Sequence, residues 1–182
     1  NALDYLRGEQ TADGDIGGFG TSAWVTMAIA AAGEDPHDWK VGSNPSIVDY
    51  LAANASDATS TTDYARMILA IVAASEGPAS FGGRDFVNLL KGQYSNGQIG
   101  DASSLSDDFW GVMALISAGE SPDSEVVANS VAFIKENQNA DGGWSWVVGG
   151  SSDVDMTAAA IMALIAAGEN PSSSNITNGL TF

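Results

Sequence analysis

Ala32-Gly33-Glu34-Asp35-Pro36, Ala74-Ser75-Glu76-Gly77-Pro78, Ala118-Gly119-Glu120-Ser121-Pro122 and Ala167-Gly168-Glu169-Asn170-Pro171 are four versions of one phrase, with prolines 42, 44 and 49 residues apart. A small residue followed two or three places later by proline stops a helix: glycine reaches the left-handed cap and proline cannot continue the ladder. Upstream of each stop runs an Ala-rich segment, at about 22–32, 63–74, 107–118 and 155–167. These segments are apolar around most of their circumference, which predicts helices buried on more than one side.

A shorter, more amphipathic segment precedes each, at about 2–9, 46–54, 85–93 and 125–137. Their apolar residues fall at helical spacing, as in Val131, Phe133 and Ile134, or Ile47, Val48, Tyr50 and Leu51. The segment Ile176-Thr177-Asn178-Gly179-Leu180-Thr181-Phe182 reads as the start of another such helix. The chain therefore divides into helical hairpins at about 1–40, 45–80, 84–124 and 125–172, with a fifth beginning at 175. All of it is expected to form one all-α domain, cut from a longer protein. Alternating amphipathic and apolar helices at this period build either an open solenoid or a closed toroid. The fully apolar second helices favour a partial or small α/α toroid, with those helices inside.

Composition narrows the function. The net charge is −17, from 23 acidic and 6 basic residues, so nucleic acid phosphates and anionic membranes are repelled. No apolar run is long enough to span a bilayer. Few lysines and many Asp, Ser, Thr and Asn suit a secreted, cell-surface or salt-adapted protein, and simple solubility explains the charge equally well. There is no cysteine, so disulfides and thiol chemistry are excluded. Sequons at Asn54-Ala55-Ser56 and Asn175-Ile176-Thr177 carry little weight in a chain of this composition.

The links between helices are more specific. The fourth reads Gln138-Asn139-Ala140-Asp141-Gly142-Gly143-Trp144, the first runs from Gln10 to Phe19 through Gly14, Gly17 and Gly18, and the third runs from Gln93 through Gly97 to Ile99-Gly100. Each is a Gln, a Gly-rich turn and an aromatic or apolar residue. This resembles the QW repeat of squalene and oxidosqualene cyclases, found in worn form in protein prenyltransferase β-subunits. The resemblance implies that Gln10, Gln93 and Gln138, with Phe19, Gly142, Gly143 and Trp144, tie the end of a first helix to the start of a second. An amide suits that task, since it satisfies terminal backbone groups while a ring covers the turn. The second hairpin has Asn54 where Gln is expected and lacks the Gly-aromatic turn.

A second likeness follows. Ser152-Asp153-Val154-Asp155-Met156-Thr157-Ala158 resembles the Asp-x-Asp-Asp-Thr-Ala stretch of class II terpene cyclases, whose middle Asp protonates an alkene or epoxide. The match implies Asp155 as general acid with Asp153 beside it, but Met156 replaces the last Asp and weakens the cluster that tunes such an acid. Those cyclases also enclose their polyene between two toroidal domains, far more chain than this one. Similar phrases, and Phe81-Gly82-Gly83-Arg84-Asp85-Phe86, resemble transcobalamin/intrinsic-factor-like and prenyltransferase-like cell-surface repeat domains. The leading expectation is accordingly a non-catalytic extracellular module that binds a small ligand or acts as a scaffold beside other domains of a larger surface protein. The resemblance implies a corrinoid as the most concrete ligand, and a diminished class II cyclase is the alternative.

The competing structural role for Asp153 or Asp155 is to cap the last second helix, where a carboxylate meets free amides. Ser, Thr or Asp recurs at the start of these helices, which is what capping demands. The same residues also place Asp63, Asp107, Asp108, Asp153 and Asp155 along one rim, able to hold a cation or a hydroxyl-rich ligand. Trp24, Tyr64 and Trp110 lie near the same helix starts and are candidates to line a cavity, although core filling is the commoner use of such rings. A prenyltransferase zinc site is excluded, since Cys is absent and the one histidine, His37, follows Pro36. The spacing Asn137-x-Asn139-x-Asp141-Gly142 echoes a calcium loop, but its twelfth position is Val148 instead of Glu. No metal is expected.

Overall fold

The structure is a computed structural model that describes residues 2–182. Its helices alternate as the stop phrases predict: α1 (Ala2–Glu9) and α2 (Phe19–Ala31), α3 (Ile47–Ala53) and α4 (Thr61–Ala73), α5 (Phe86–Lys91) and α6 (Leu105–Ser117), α7 (Glu125–Glu136) and α8 (Val154–Ala166), then α9 (Ser174–Thr181). The fold class is all-α, built of hairpins of the α/α-toroid kind. The chain forms two compact units, one ending at Asn88 and the other spanning Leu89–Phe182, and their boundary falls inside α5.

All four second helices end alike. The Glu of each stop phrase donates its N–H to a carbonyl five residues back (Ile29, Ile71, Leu115 and Leu164, at 2.9–3.2 Å), and the residue before it donates three back. These are Schellman closures, which need a left-handed residue at the turn. Gly33, Gly119 and Gly168 supply it at φ 82°, 90° and 90°, and Ser75 is held at φ 62° in the second hairpin.

The starts differ more. α3 and α4 open with reciprocal capping boxes, Ser46 with Asp49 and Ser60 with Asp63. α8 opens on Asp153, whose carboxylate accepts the Met156 N–H. At α6 the Trp146 carbonyl accepts the first N–H groups, from Leu105 at 3.0 Å and Ser106 at 3.3 Å. A loop that precedes α8 thus caps its neighbour.

In the first unit α2 packs on α4, with α3 against α2. Ile29, Ile47, Leu51, Ile68, Ile71 and Trp39 fill this core. In the second unit α6 packs on α8, α7 covers α6, and α9 covers α8. Phe109, Leu115, Val127, Ile134, Trp144 and Leu164 are its buried centre. The Ala-rich helices therefore pack on one another within each unit, with first helices laid across them. Small side chains allow that close approach, and the apolar area removed from water supplies the drive. One departure is α8, whose side bearing Val154, Ala158 and Ile165 is exposed despite its apolar character.

Three hairpins carry the same ion pair between the end of the first helix and the stop phrase: Arg7 with Glu34, Lys91 with Glu120 (2.9 Å) and Lys135 with Glu169 (2.7 Å). Lys135, the nearest influence on Glu169, holds its carboxyl below the usual carboxylate range. These pairs are partly exposed, so each contributes about 0.2–1 kcal/mol.

Candidate functional site

The Gly-rich turns are built by side chains that recur. The Gln10 amide donates to the Gly14 carbonyl at 3.0 Å and to the Trp39 carbonyl at 2.7 Å, at the approach to the next hairpin. Gln138 repeats this, donating to Gly142 at 2.7 Å and to Asn175 in α9 at 2.9 Å. Gly14 and Gly142 sit at φ 94° and 92°, and a Cβ at either would meet a backbone oxygen of the following hairpin at 2.6 Å. Each turn therefore links its own hairpin to the next.

A second contact marks the helix starts. One position in the first turns of α2, α6 and α8 carries an oxygen that accepts a backbone N–H from the turn: Ser22 from Ile16, Asp108 from Ile99 and Thr157 from Trp144, each at 2.9 Å. Trp144 is fully buried, and its ring N–H donates to the Ile134 carbonyl at 2.7 Å. By this contact Ile16 holds the place that Trp144 has in the fourth hairpin. Phe19, the residue the sequence pattern put there, is instead the half-buried first residue of α2.

Gln93 is placed differently as well. Its side chain is exposed, and the turn after it is a two-stranded hairpin, β1 (Tyr94–Ser95) and β2 (Gln98–Ile99). The cause is Asn96-Gly97, both at positive φ (52° and 87°), the pair that forms a two-residue primed turn. In the worn second link Arg84 supplies the tie, donating to the Ala55 and Ala58 carbonyls at 2.6 and 2.7 Å. Its guanidinium lies over the rings of Tyr64 and Phe86. Sequence reasoning missed Arg84 because a guanidinium does there what an amide does elsewhere. The offset of the Phe-Gly-Gly-Arg phrase from the helix end was the available signal.

The carboxylates proposed for a rim are held by local bonds. Asp63 is partly buried, which favours its neutral form, but the Ser60 hydroxyl, the Thr59 and Ser60 N–H groups and Arg66 outweigh this and lower its pKa. Asp107 accepts the Asp101 N–H at 3.1 Å. Asp153 is occupied as the α8 cap, and Asp155 in the first turn of that helix is exposed to solvent. In the first unit Trp24 is 43 % exposed and Tyr64 is buried, tilted against Phe86. In the second unit Trp110 is half-buried on α6.

Asp108 differs from the other acids. It is 0 % exposed, beneath β2 and against α7. Burial pushes its carboxyl up to about 7, and the neighbouring Asp107 charge adds to this, while the Ile99 N–H and the Ser130 hydroxyl oppose it. Oδ2 of Asp108 and Oγ of Ser130 are both buried and close no hydrogen bond of normal length, so Ser130 acts on the carboxyl only as a nearby dipole. The equivalent positions in α2 and α8 are hydroxyls, and the Asp108 carboxyl accepts the turn N–H as they do.

Open clefts lie elsewhere. One of about 480 Å³ is lined by Ala30, Glu34, Asp35, His37 and Ala74 at the C-terminal ends of α2 and α4. Another of about 250 Å³ is an apolar groove between α8 and α9, lined by Val154, Ala158, Ile161, Leu180 and Phe182. Neither is lined by Trp24, Tyr64, Trp110 or any candidate Asp. Among the described residues no cluster of three or more His, Cys, Asp or Glu could hold a metal, and no helix is long and apolar enough to cross a membrane. The sequon residues are engaged: the Asn54 amide donates to Tyr50, and the Asn175 amide donates to Gln138 at 2.9 Å.

No curated protein matches the chain. The family model for the squalene-hopene cyclase N-terminal domain matches residues 112–182, less than half of the chain. That span runs from within α6 to the end of α9 and takes in both the Gln138–Trp144 turn and the Asp153–Thr157 helix start. Over that stretch the chain is similar to the terpenoid cyclases of the α/α-toroid superfamily.

Proposed function

We propose that this chain is a non-catalytic module of a secreted or cell-surface protein, working as a helical scaffold or as the holder of a small ligand. The observation that carries the reading is the setting of Asp155. An acid that protonates an alkene must sit in a dry, tuned cluster. Asp155 stands in solvent on the first turn of α8, Met156 occupies the next position, and Asp153 is engaged as a cap. The other acids of the set bond turns and helix starts, as a scaffold requires. The acidic, Lys-poor composition supports an extracellular setting. A corrinoid is the ligand to test first.

One observation favours a second reading, a diminished class II terpene cyclase: the match over residues 112–182. Incubating the chain with squalene and separately titrating it with cobalamin distinguishes the two. The scaffold reading expects no cyclised product. A cobalamin spectral shift specifies the ligand. Cyclic triterpene that disappears in Asp155→Asn overturns the proposal. Unfolding of the variants supplies a parallel check. Asp153→Ala should cost about 1 kcal/mol as a lost cap, and Asp155→Asn should stay within about 0.5 kcal/mol.

A further inference from the structure

The β1–β2 hairpin pairs Tyr94 with Ile99 and Ser95 with Gln98, a ladder too short to hold its place by itself. A few ties keep it on the second unit. Ile99 is fully buried and sits on Gly111 of α6, where an added Cβ would come within 2.8 Å of the Ile99 Cδ1. The Ile99 N–H donates to Asp108 at 2.9 Å, and the Asp101 N–H donates to Asp107 at 3.1 Å. Gly100 lies between them, and a Cβ there would come within 2.4 Å of the Asp107 carboxylate. At the surface the Asn129 amide of α7 donates to the Tyr94 hydroxyl at 2.6 Å. Two of these ties end on carboxyl groups of adjacent residues.

Asp108 is enclosed, and the groups around it offer a negative charge little support. On α6 the Asp107 charge repels its own. The hairpin supplies one donor, the Ile99 N–H on Oδ1. Its titratable side chains are turned to other partners, Tyr94 to Asn129 and Asp101 to the Ser103 hydroxyl. From α7 comes the Ser130 hydroxyl as a nearby dipole, while Glu125 and Glu136 of that helix and Asp155 of α8 are exposed. The basic side chains of this unit are Lys91 and Lys135, and they pair with Glu120 and Glu169. A carboxylate enclosed without a cation is costly, and the cost is relieved by taking up a proton or by letting water in.

We propose that Asp108 is a proton-operated latch on this hairpin: neutral, it holds the Ile99 N–H in a dry seat, and ionised, it makes residues 93–101 lift from α6 so that water reaches the carboxylate. Lifting so short a hairpin hydrates the charge at less cost than unfolding the unit, so the opening is local and the helices beneath stay packed. In the closed seat burial, helped by the Asp107 charge, pushes the carboxyl up to about 7. Once lifted and hydrated it titrates near 4. Between these values the closed form binds more protons than the open one. Opening therefore grows as pH rises through about 4 to 7, by at most about tenfold per pH unit, and levels off above.

Amide hydrogen exchange on the 182-residue chain, corrected for the intrinsic rate at each pH, reads this opening residue by residue. Between pH 5 and pH 7 the Ile99 and Gly100 amides should lose protection by up to about tenfold per pH unit. Their exchange should depend little on added urea, as local opening does, whereas Leu115 in the core of α6 should be better protected and steeply urea-dependent. Asp108→Asn keeps an acceptor for the Ile99 N–H and removes the titration, so the hairpin amides should lose their pH dependence. Asp108→Thr, the residue type at the equivalent place in α8, gives the same reading should the Asn variant fold poorly. Asp107→Asn removes the neighbouring charge, so Asp108 ionises more readily and the loss of protection should begin at lower pH. Hairpin protection that is flat from pH 5 to 7 in the unaltered chain overturns the proposal. So does a pH dependence that survives in both Asp108 variants, or an Ile99 amide that matches Leu115 in protection and urea dependence, which would make the effect global unfolding.

Discussion

At the scale of single residues the clearest anomaly is Asp108. Its carboxyl titrates near 7 in the folded chain, against the usual range near 4 when unfolded. Between those values the folded state binds more protons than the unfolded one, so stability falls as pH rises through about 4 to 7 and the loss persists above. Replacing the carboxyl by the hydroxyl found at Thr157 removes that penalty. Asp108→Thr should gain about 2–4 kcal/mol at pH 8 and little at pH 4, read from urea unfolding at the two pH values. Ser75 is the second strained site, a non-glycine at φ 62° where the other three hairpins carry glycine. Ser75→Gly should raise stability by about 0.5–1 kcal/mol, through relief of the left-handed backbone. Ser75 was visible in the sequence as the odd member of the stop phrase. Asp108 was not, because Asp107 and Asp108 look interchangeable at a helix start until packing shows which one is enclosed.

At the scale of elements the hydrophobic period and the Gly-Pro stops were enough to place the helices, since both are local signals that tertiary packing reinforces. The links were legible only where one amide does the work. Gln138 has two carbonyl acceptors, one in the next hairpin, so Gln138→Ala should cost about 1–3 kcal/mol by leaving them unsatisfied. Gln93→Ala should stay within about 0.5 kcal/mol, because that side chain is exposed. Thermal unfolding of the two variants side by side checks the contrast. The pattern that made the three glutamines look equivalent did not register Asn96-Gly97, whose turn preference overrides a helix-to-helix link and inserts two short strands. The same limit hid Ile16 behind the more conspicuous Phe19 and hid Arg84 altogether. Motif spacing records which residue types recur, whereas the contact itself can be made by any group that reaches the same carbonyls.

For the molecule as a whole, 23 acidic against 6 basic residues means that folding gathers like charges. Repulsion destabilises the compact state, and salt screens it over a Debye length of about 10 Å at 0.1 M. The melting temperature should therefore climb by several degrees between low salt and 1 M NaCl, measured by circular dichroism; a flat response would show that the charges are already spaced beyond interaction. Charge and repeat were both readable from composition, which is why the fold class was legible and the ligand was not: stacking leaves a periodic trace in sequence, while a binding surface is assembled from residues far apart along it. Each of the pairs Arg7–Glu34, Lys91–Glu120 and Lys135–Glu169 closes a loop within a single hairpin. A hairpin so fastened is a self-contained cassette, and the array is in that respect open to splicing: a duplicated or transplanted copy brings its own fastener and needs only the neighbour's backbone oxygens to receive its turn.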